Sequence, residues 1–141
     1  RRRGLELNEE NERQVREQLR KEHGMAAYAM LNLPRIDALL KSSNVVVDGL
    51  YSWEEYMLLK ERYGDALSLV AVWSSPSTRY KRLGRRAVRP LTAEQAASRD
   101  KAEIENSNKG GPIAMADFTI INESSIEELE KESRRVLVAL K

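Results

Sequence analysis

The chain has 141 residues, 41% of them apolar and 33% charged, with 24 Lys plus Arg against 22 Asp plus Glu, seven glycines, four prolines and no cysteine. Those proportions describe one globular domain and argue against a disordered chain or a collagen-like repeat, and the lack of cysteine excludes a disulfide and a thiolate metal site. A net charge of only +2 gives no overall pull toward nucleic acid, so nucleic acid is not an expected partner and function must sit in local patches. The longest mostly apolar stretch, Met25 to Leu33, is interrupted by Asn32 and is too short to cross a bilayer. No membrane partner is therefore expected, and the lack of cysteine suits a reducing, cytoplasmic setting. The start Arg1-Arg2-Arg3, with no Met and no signal peptide, is the start expected of an excised piece.

In chain order, Asn8 is placed to cap a helix running to about His23, with Glu9, Glu10 and Glu12 in the turn where the helix dipole favours acids. Its apolar side is thin, chiefly Val15 and Leu19, so it should be largely solvated. After a stop at Gly24, Met25 to Leu31 and then Ile36, Leu39 and Leu40 predict a core helix kinked or broken near Pro34. Val45-Val46-Val47 is a β-branched run without polar alternation, the pattern of a strand buried on both faces. Ser52 with Glu55 predicts a capped helix to Gly64, and Leu67 to Trp73 a second buried strand. Trp53, Tyr56 and Tyr63 recur at helical spacing and read as core rather than as a stacking platform.

Ser75-Pro76 opens a basic helix near Thr78 to Arg86, and Thr92 with Gln95 caps another to about Asn106. Lys109-Gly110-Gly111-Pro112 reads as a turn. Phe118 to Ile121 is the third strand, and Ser125 with Glu128 caps a final helix whose apolar residues are Ile126, Leu129, Val136, Leu137 and Leu140. The order βαβααβα predicts an α/β fold, a three-layer α/β/α arrangement with a parallel sheet covered by helices. Such sheets bind ligands beyond the carboxyl ends of their strands, here at Asp48-Gly49, Ser74-Ser75 and Asn122-Glu123-Ser124.

Two segments have the residue types for phosphate chemistry. Asp48, at the end of an apolar run and beside Gly49, can hold Mg²⁺ through water; it can equally be the polar turn that ends a strand. Arg79 to Arg89 contains six basic residues and no acid. Arg79, Arg82 and Arg86 share a helical face, and their guanidinium forks match the phosphates of a multi-phosphate ligand. A solvated basic face is the competing interpretation, and an RNA-binding stripe a third, short of stacking aromatics beyond Tyr80. His23, the one histidine, has no partner pattern for a triad or zinc. Arg99-Asp100 with Glu103 and Glu105 can be a helical salt-bridge set. Nowhere does Gly-x-x-x-x-Gly-Lys-Ser/Thr occur, so no phosphate-cradling loop is present.

Six pieces in order, Arg3-Gly-Leu-Glu-Leu-Asn8, Leu19-Arg-Lys-Glu-His-Gly24, Val46-Val-Asp-Gly49, Arg79-Tyr-Lys-Arg-Leu83, Ser98-Arg-Asp-Lys-Ala-Glu103 and Ala116-Asp-Phe-Thr-Ile-Ile-Asn122, resemble the P-loop nucleotide kinases related to dephospho-CoA kinase and adenylate kinase. The resemblance implies a single partial kinase-like domain over residues 1–141, incomplete for want of its first strand. Residues 1–41 would be acceptor-binding helices, residues 77–111 a lid, and the remainder sheet core. It implies ATP and Mg²⁺ as cofactors, a nucleotide or dephospho-CoA-like acceptor, and transfer of the ATP γ-phosphoryl group. Asp48 would be the magnesium-associated acid and, with Arg82 and Arg86, the catalytic set. Arg79, Arg85, Arg89, Arg99 and Asp100 would bind substrate phosphates, and Asn122 with Ser124 would lie by the adenine. The alternative from a different class is a non-catalytic module that binds nucleotide or RNA phosphates.

Two departures qualify the resemblance. The family's first strand and phosphate-binding loop would precede residue 1, so this piece alone is expected to be inactive. Tyr51 stands where many relatives carry Arg. The absent strand would lie between Val45–Val47 and Leu67–Trp73, leaving two unpaired edges that must close on each other, capture another chain or remain unstable; a homodimer or a rearranged sheet is the expected result.

Overall fold

A computed structural model describes residues 9–140. Asn8, expected to cap the first helix, lies outside the described residues. Helix α1 (Glu9–His23) ends where Gly24 adopts a φ of +78°, a conformation glycine takes without Cβ strain. Helix α2 (Ala27–Leu40) carries Pro34 inside it and continues past it, so of the kink or break expected near Pro34 the break does not occur. Helix α3 (Trp53–Tyr63) is capped by Ser52, whose Oγ accepts from the Glu55 N–H at 3.1 Å.

The sheet is smaller than the sequence predicts. Strands β1 (Val70–Trp73) and β2 (Phe118–Ile121) form a parallel pair, Val70 opposite Phe118 and Trp73 opposite Ile121. The crossover between them contains helices α4 (Pro76–Gly84), α5 (Ala93–Glu105) and α6 (Gly110–Ala114), and α7 (Ile126–Ala139) follows β2. The fold is thus mixed α/β, mostly helical, with a two-stranded parallel sheet. Val45–Val47 forms no strand: Val45 is half-buried against the core, Val46 is 92% exposed and Val47 is exposed as well. A β-branched run becomes a strand only when a neighbour accepts its backbone bonds, and here none does.

The second strand begins at Val70 rather than Leu67, and neither strand is buried on both faces, since Val72, Trp73 and Ile121 are exposed. Lys109–Pro112 is not a simple turn; Gly110 to Pro112 form the start of α6, with Pro112 buried. Nor does α7 bury the full set of apolar residues expected of it. Val136 is buried and Leu129 half-buried, whereas Ile126, Leu137 and Leu140 face solvent.

The core lies between α2 and α3. Ala29, Ile36 and Leu59 form its centre, with Leu33, Val45, Leu50, Leu58, Tyr63 and Leu67 packed round it. Only one face of α2 is buried, and Met30, Leu31, Leu39 and Leu40 are exposed. Tyr56 is buried and Trp53 half-buried beside it, their ring centroids 5.2 Å apart, so the aromatics belong to packing as expected.

Candidate functional site

The carboxyl ends of β1 and β2 meet the start of α4. Ser75 and Pro76 begin that helix because the Ser75 Oγ accepts from the Thr78 N–H and Pro at the first position gives up an amide the helix does not use. Glu123, from the loop after β2, lays its carboxylate on this helix start. It accepts from the Ser75 N–H and, at 2.6 Å, from the Thr78 hydroxyl. Those bonds, the Ser75 amide first, hold the Glu123 carboxyl below its ordinary range, with Arg82 adding to the effect.

Arg82 spans the same gap. One guanidinium nitrogen donates to the Asn122 carbonyl at 2.8 Å and to its Oδ1 at 3.0 Å, while the other donates to the Ser124 carbonyl at 3.2 Å. Arg79, one helical turn earlier, donates to the Ser74 carbonyl at 2.7 Å and pairs with Asp100 of α5. The Tyr80 hydroxyl donates to the same Asp100 carboxylate at 2.8 Å, and that bond pushes the phenol pKa up. Five of the residues singled out from the sequence, Arg79, Arg82, Asp100, Asn122 and Ser124, therefore stand together at the strand ends.

The others do not join them directly. Arg85 and Arg86 are exposed at and beyond the end of α4, and Arg89 has a left-handed φ of +56° in the loop that follows. Arg99 donates to Glu103 at 3.2 Å, one turn along α5. Asp48 lines a separate hollow of about 260 Å³ with Asn32, Arg35, Ile36, Leu39 and Val45 to Val47.

A chain of contacts leads from the Asp48 loop toward the strand-end cluster. Gly49, at φ +91°, lies so close beneath the Tyr51 ring that a Cβ there would sit 2.7 Å from it. Lys109 places its ammonium 5.1 Å from the centre of that ring and pairs with Glu103, which also holds Arg99. Burial alone would raise the Glu103 carboxyl, but bonds from Lys109 and then Arg99 outweigh it and hold it low. Asp100, beside Arg99 in the chain, then holds Arg79.

Against this geometry stand the relatives. A UPF0200 protein of Hyperthermus butylicus is 39% identical over 142 residues, an alignment covering 99% of this chain and 74% of that protein. The chain belongs to the UPF0200 family. The UPF0200 protein TK1334 of Thermococcus kodakarensis is also 39% identical, over 96% of this chain and 75% of its own length. A UPF0200/UPF0201 protein of Archaeoglobus fulgidus is 35% identical over 99% of this chain and 44% of its own length. No family model matches the chain.

In this UPF0200 chain, the described residues contain no group of three His, Cys, Asp or Glu side chains able to hold a metal ion. Asp48 shares its hollow with the cation Arg35 rather than with a second carboxylate. One carboxylate fits only an ion whose remaining ligands are water and a bound ligand's own oxygens. No described helix is long and apolar enough to cross a membrane.

The sequence puts Ser75 and Glu123 at strand ends but gives neither a role, and it marks Thr78 only as part of a helix start. Nothing local to Glu123 announces that its carboxylate returns to α4 from forty-five residues downstream. Lys109 was legible only as part of a Gly-rich turn.

Proposed function

We propose that this UPF0200 chain belongs to an ATP-dependent phosphotransferase built on the P-loop nucleotide-kinase plan. It would carry the terminal phosphoryl group of ATP·Mg²⁺ to a nucleotide-like or dephospho-CoA-like acceptor. These residues would supply the acceptor-binding helices, the lid and the carboxyl-terminal part of a three-layer sheet, and the phosphate cradle would come from outside them. The observation that carries the proposal is the cluster of hydrogen-bonded side chains at the ends of parallel β1 and β2. There Arg79 and Arg82 reach from α4 onto the strand-end loops while the Ser75 and Thr78 hydroxyls and the Ser75 amide already hold one anion, the carboxylate of Glu123.

Phosphoryl transfer depends on fixed cations and amides round a negatively charged group more than on covalent chemistry, and this cluster is furnished in that way. Asn122 and Ser124 offer backbone oxygens at its far side, where the resemblance puts the adenine. Lys109, standing over Tyr51, brings a cation to the loop where relatives of the kinase type carry Arg. Asp48 would accept from a water on the magnesium that ATP brings with it. Arg82 would exchange its contacts to Asn122 and Ser124 for phosphate oxygens, so that nucleotide binding and the docking of α4 become one equilibrium.

The test is ATP consumption by a full-length family member across a panel of nucleoside monophosphates and dephospho-CoA. Acceptor-stimulated consumption is expected. The counterpart of Arg82→Ala should raise the KM for ATP by about tenfold or more, as loss of charge-assisted bonds predicts, a larger effect than its lowering of the melting temperature. Asp48→Asn should abolish turnover in a folded protein. Consumption that no acceptor stimulates, or full activity in Asp48→Asn, overturns the assignment.

A further inference from the structure

Helix α4 has a second basic face. Arg79 and Arg82 point to the strand ends and are held by Ser74, Asp100, Asn122 and Ser124. Lys81 and Arg85, one turn apart on another side, line an open hollow of about 460 Å³ with Tyr80, Pro90, Leu91 and Thr92. Arg86 follows directly, exposed like both of them. Among the described residues none of these three cations makes an ion pair, and the sequence from Ala66 to Ala93 contains no acid. Unneutralised like charges held this close repel one another, and a polyanion relieves that repulsion by displacing the small ions that screen it.

We infer that this outer face of the α4–α5 hairpin binds the phosphodiester backbone of single-stranded nucleic acid, at a site separate from the strand-end cluster. The chemistry of the hollow favours a strand over a single phosphate. A seat for one phosphate is best built from converging amides, and two of those at the start of α5 are already used: Gln95 donates its N–H to the Thr92 hydroxyl at 3.2 Å, and the Thr92 N–H donates to the Gln95 side chain at 2.9 Å. What remains are side-chain cations. Lys81 and Arg85 are separated by about 6 Å along the helix axis, so they address two points on a chain rather than two oxygens of one group. Tyr80 lines the same hollow with its hydroxyl anchored on Asp100 and its ring beside the Arg79 guanidinium, 5.6 Å from the ring centroid. A ring fixed in this way offers the stacking surface that a base requires. Pro90 and Leu91 supply an apolar floor.

The inference does not depend on phosphoryl transfer: apart from Tyr80, whose hydroxyl donates to Asp100, the residues of the hollow make none of the contacts described at the strand ends. The experiment is fluorescence anisotropy of a labelled twelve-nucleotide oligouridylate titrated with the 141-residue chain at 50 to 300 mM salt. Binding is expected at 50 mM, weakening linearly on a log–log plot. The double variant Lys81→Ala with Arg85→Ala should lose about tenfold in affinity at 100 mM salt and show a slope shallower by about 1.4, two contacts at ~0.7 each.

Arg85→Lys, which keeps the charge, should restore most of the slope, and Tyr80→Leu should weaken binding without changing it. Circular dichroism would show each variant folded. No binding of the wild-type chain at 50 mM salt, or a double variant that binds as tightly as wild type, overturns the inference. So does displacement of the oligonucleotide by inorganic triphosphate at an equal concentration of phosphate, which would assign the hollow to a small phosphate ligand. A full-length family member that fails the acceptor panel while this chain still binds RNA would remove the kinase proposal alone.

Discussion

Glu55 is 1% exposed, and its environment sets up a pH dependence that can be worked out from its neighbours. One carboxylate oxygen accepts from the Tyr51 N–H at 2.8 Å, while the other, Oε1, is buried without a partner. Burial pushes the carboxyl up from its ordinary value, against the Tyr51 amide and the Arg20 charge, which pull it down. Because the folded pKa is the higher one, the stabilising contribution of this group is complete below the unfolded value of about 4.3 and is lost as the pH rises through the folded value. Glu55→Gln removes that titration while keeping an oxygen for Tyr51. The melting temperature of the variant should therefore gain on that of the wild type as the pH goes from 4 to 7. Melting curves that stay parallel over that range would show that the buried oxygen is solvated in solution.

At the scale of elements, what the chain discloses depends on whether the stabilising partner is local. Ser52, Ser75, Thr92 and Ser125 all accept from the amide three residues on, as their spacing predicts, because each cap is completed within one turn. Thr92 and Gln95 complete the reciprocal box as well. Val45–Val47 is the opposite case: the run carries the right side chains for a strand, but a strand also needs an edge to pair with, and that information is not in the three valines. Gly110-Gly111-Pro112 carries turn residues, yet the segment forms a short helix in which Gly111 lies flush on the Trp53 ring, a distant partner where a Cβ would come to 2.7 Å. The same division holds for the site. Arg79 and Arg82 were legible as a shared helical face, whereas the carboxylates that hold α4, Asp100 and Glu123, come from distant segments. Thr92→Ala, which deletes a local cap and touches nothing of the strand-end cluster, should cost about 1 kcal/mol. That corresponds to a fall of roughly 2–8 °C in melting temperature, measured by scanning calorimetry; an unchanged midpoint would mean that α5 is held by its packing alone.

The whole molecule has more apolar surface and more open backbone than a two-stranded sheet can hide. A parallel pair is marginal without further strands or helices on its faces, and here Val72 is 60% exposed while Trp73 and Ile121 are exposed beside it. Val45–Val47 adds a second extended run whose backbone groups pair with nothing among the described residues. Water can satisfy those backbone groups, but it does not remove the cost of leaving the valines and the tryptophan solvated, at about 25 cal/mol for each Å² of apolar surface. A second copy of the chain can cover such a surface, since an isologous contact repeats the same patch on both copies. Light scattering during size exclusion should accordingly show a concentration-dependent dimer of the 141-residue chain. Val46→Lys, which puts a charge on the most exposed of the three valines, should shift it to monomer without lowering its helicity. A wild-type chain that remains monomeric at high micromolar concentration would mean that the two edges rearrange onto each other instead, and protection of the Val45–Val47 amides from hydrogen exchange would then reveal the new pairing.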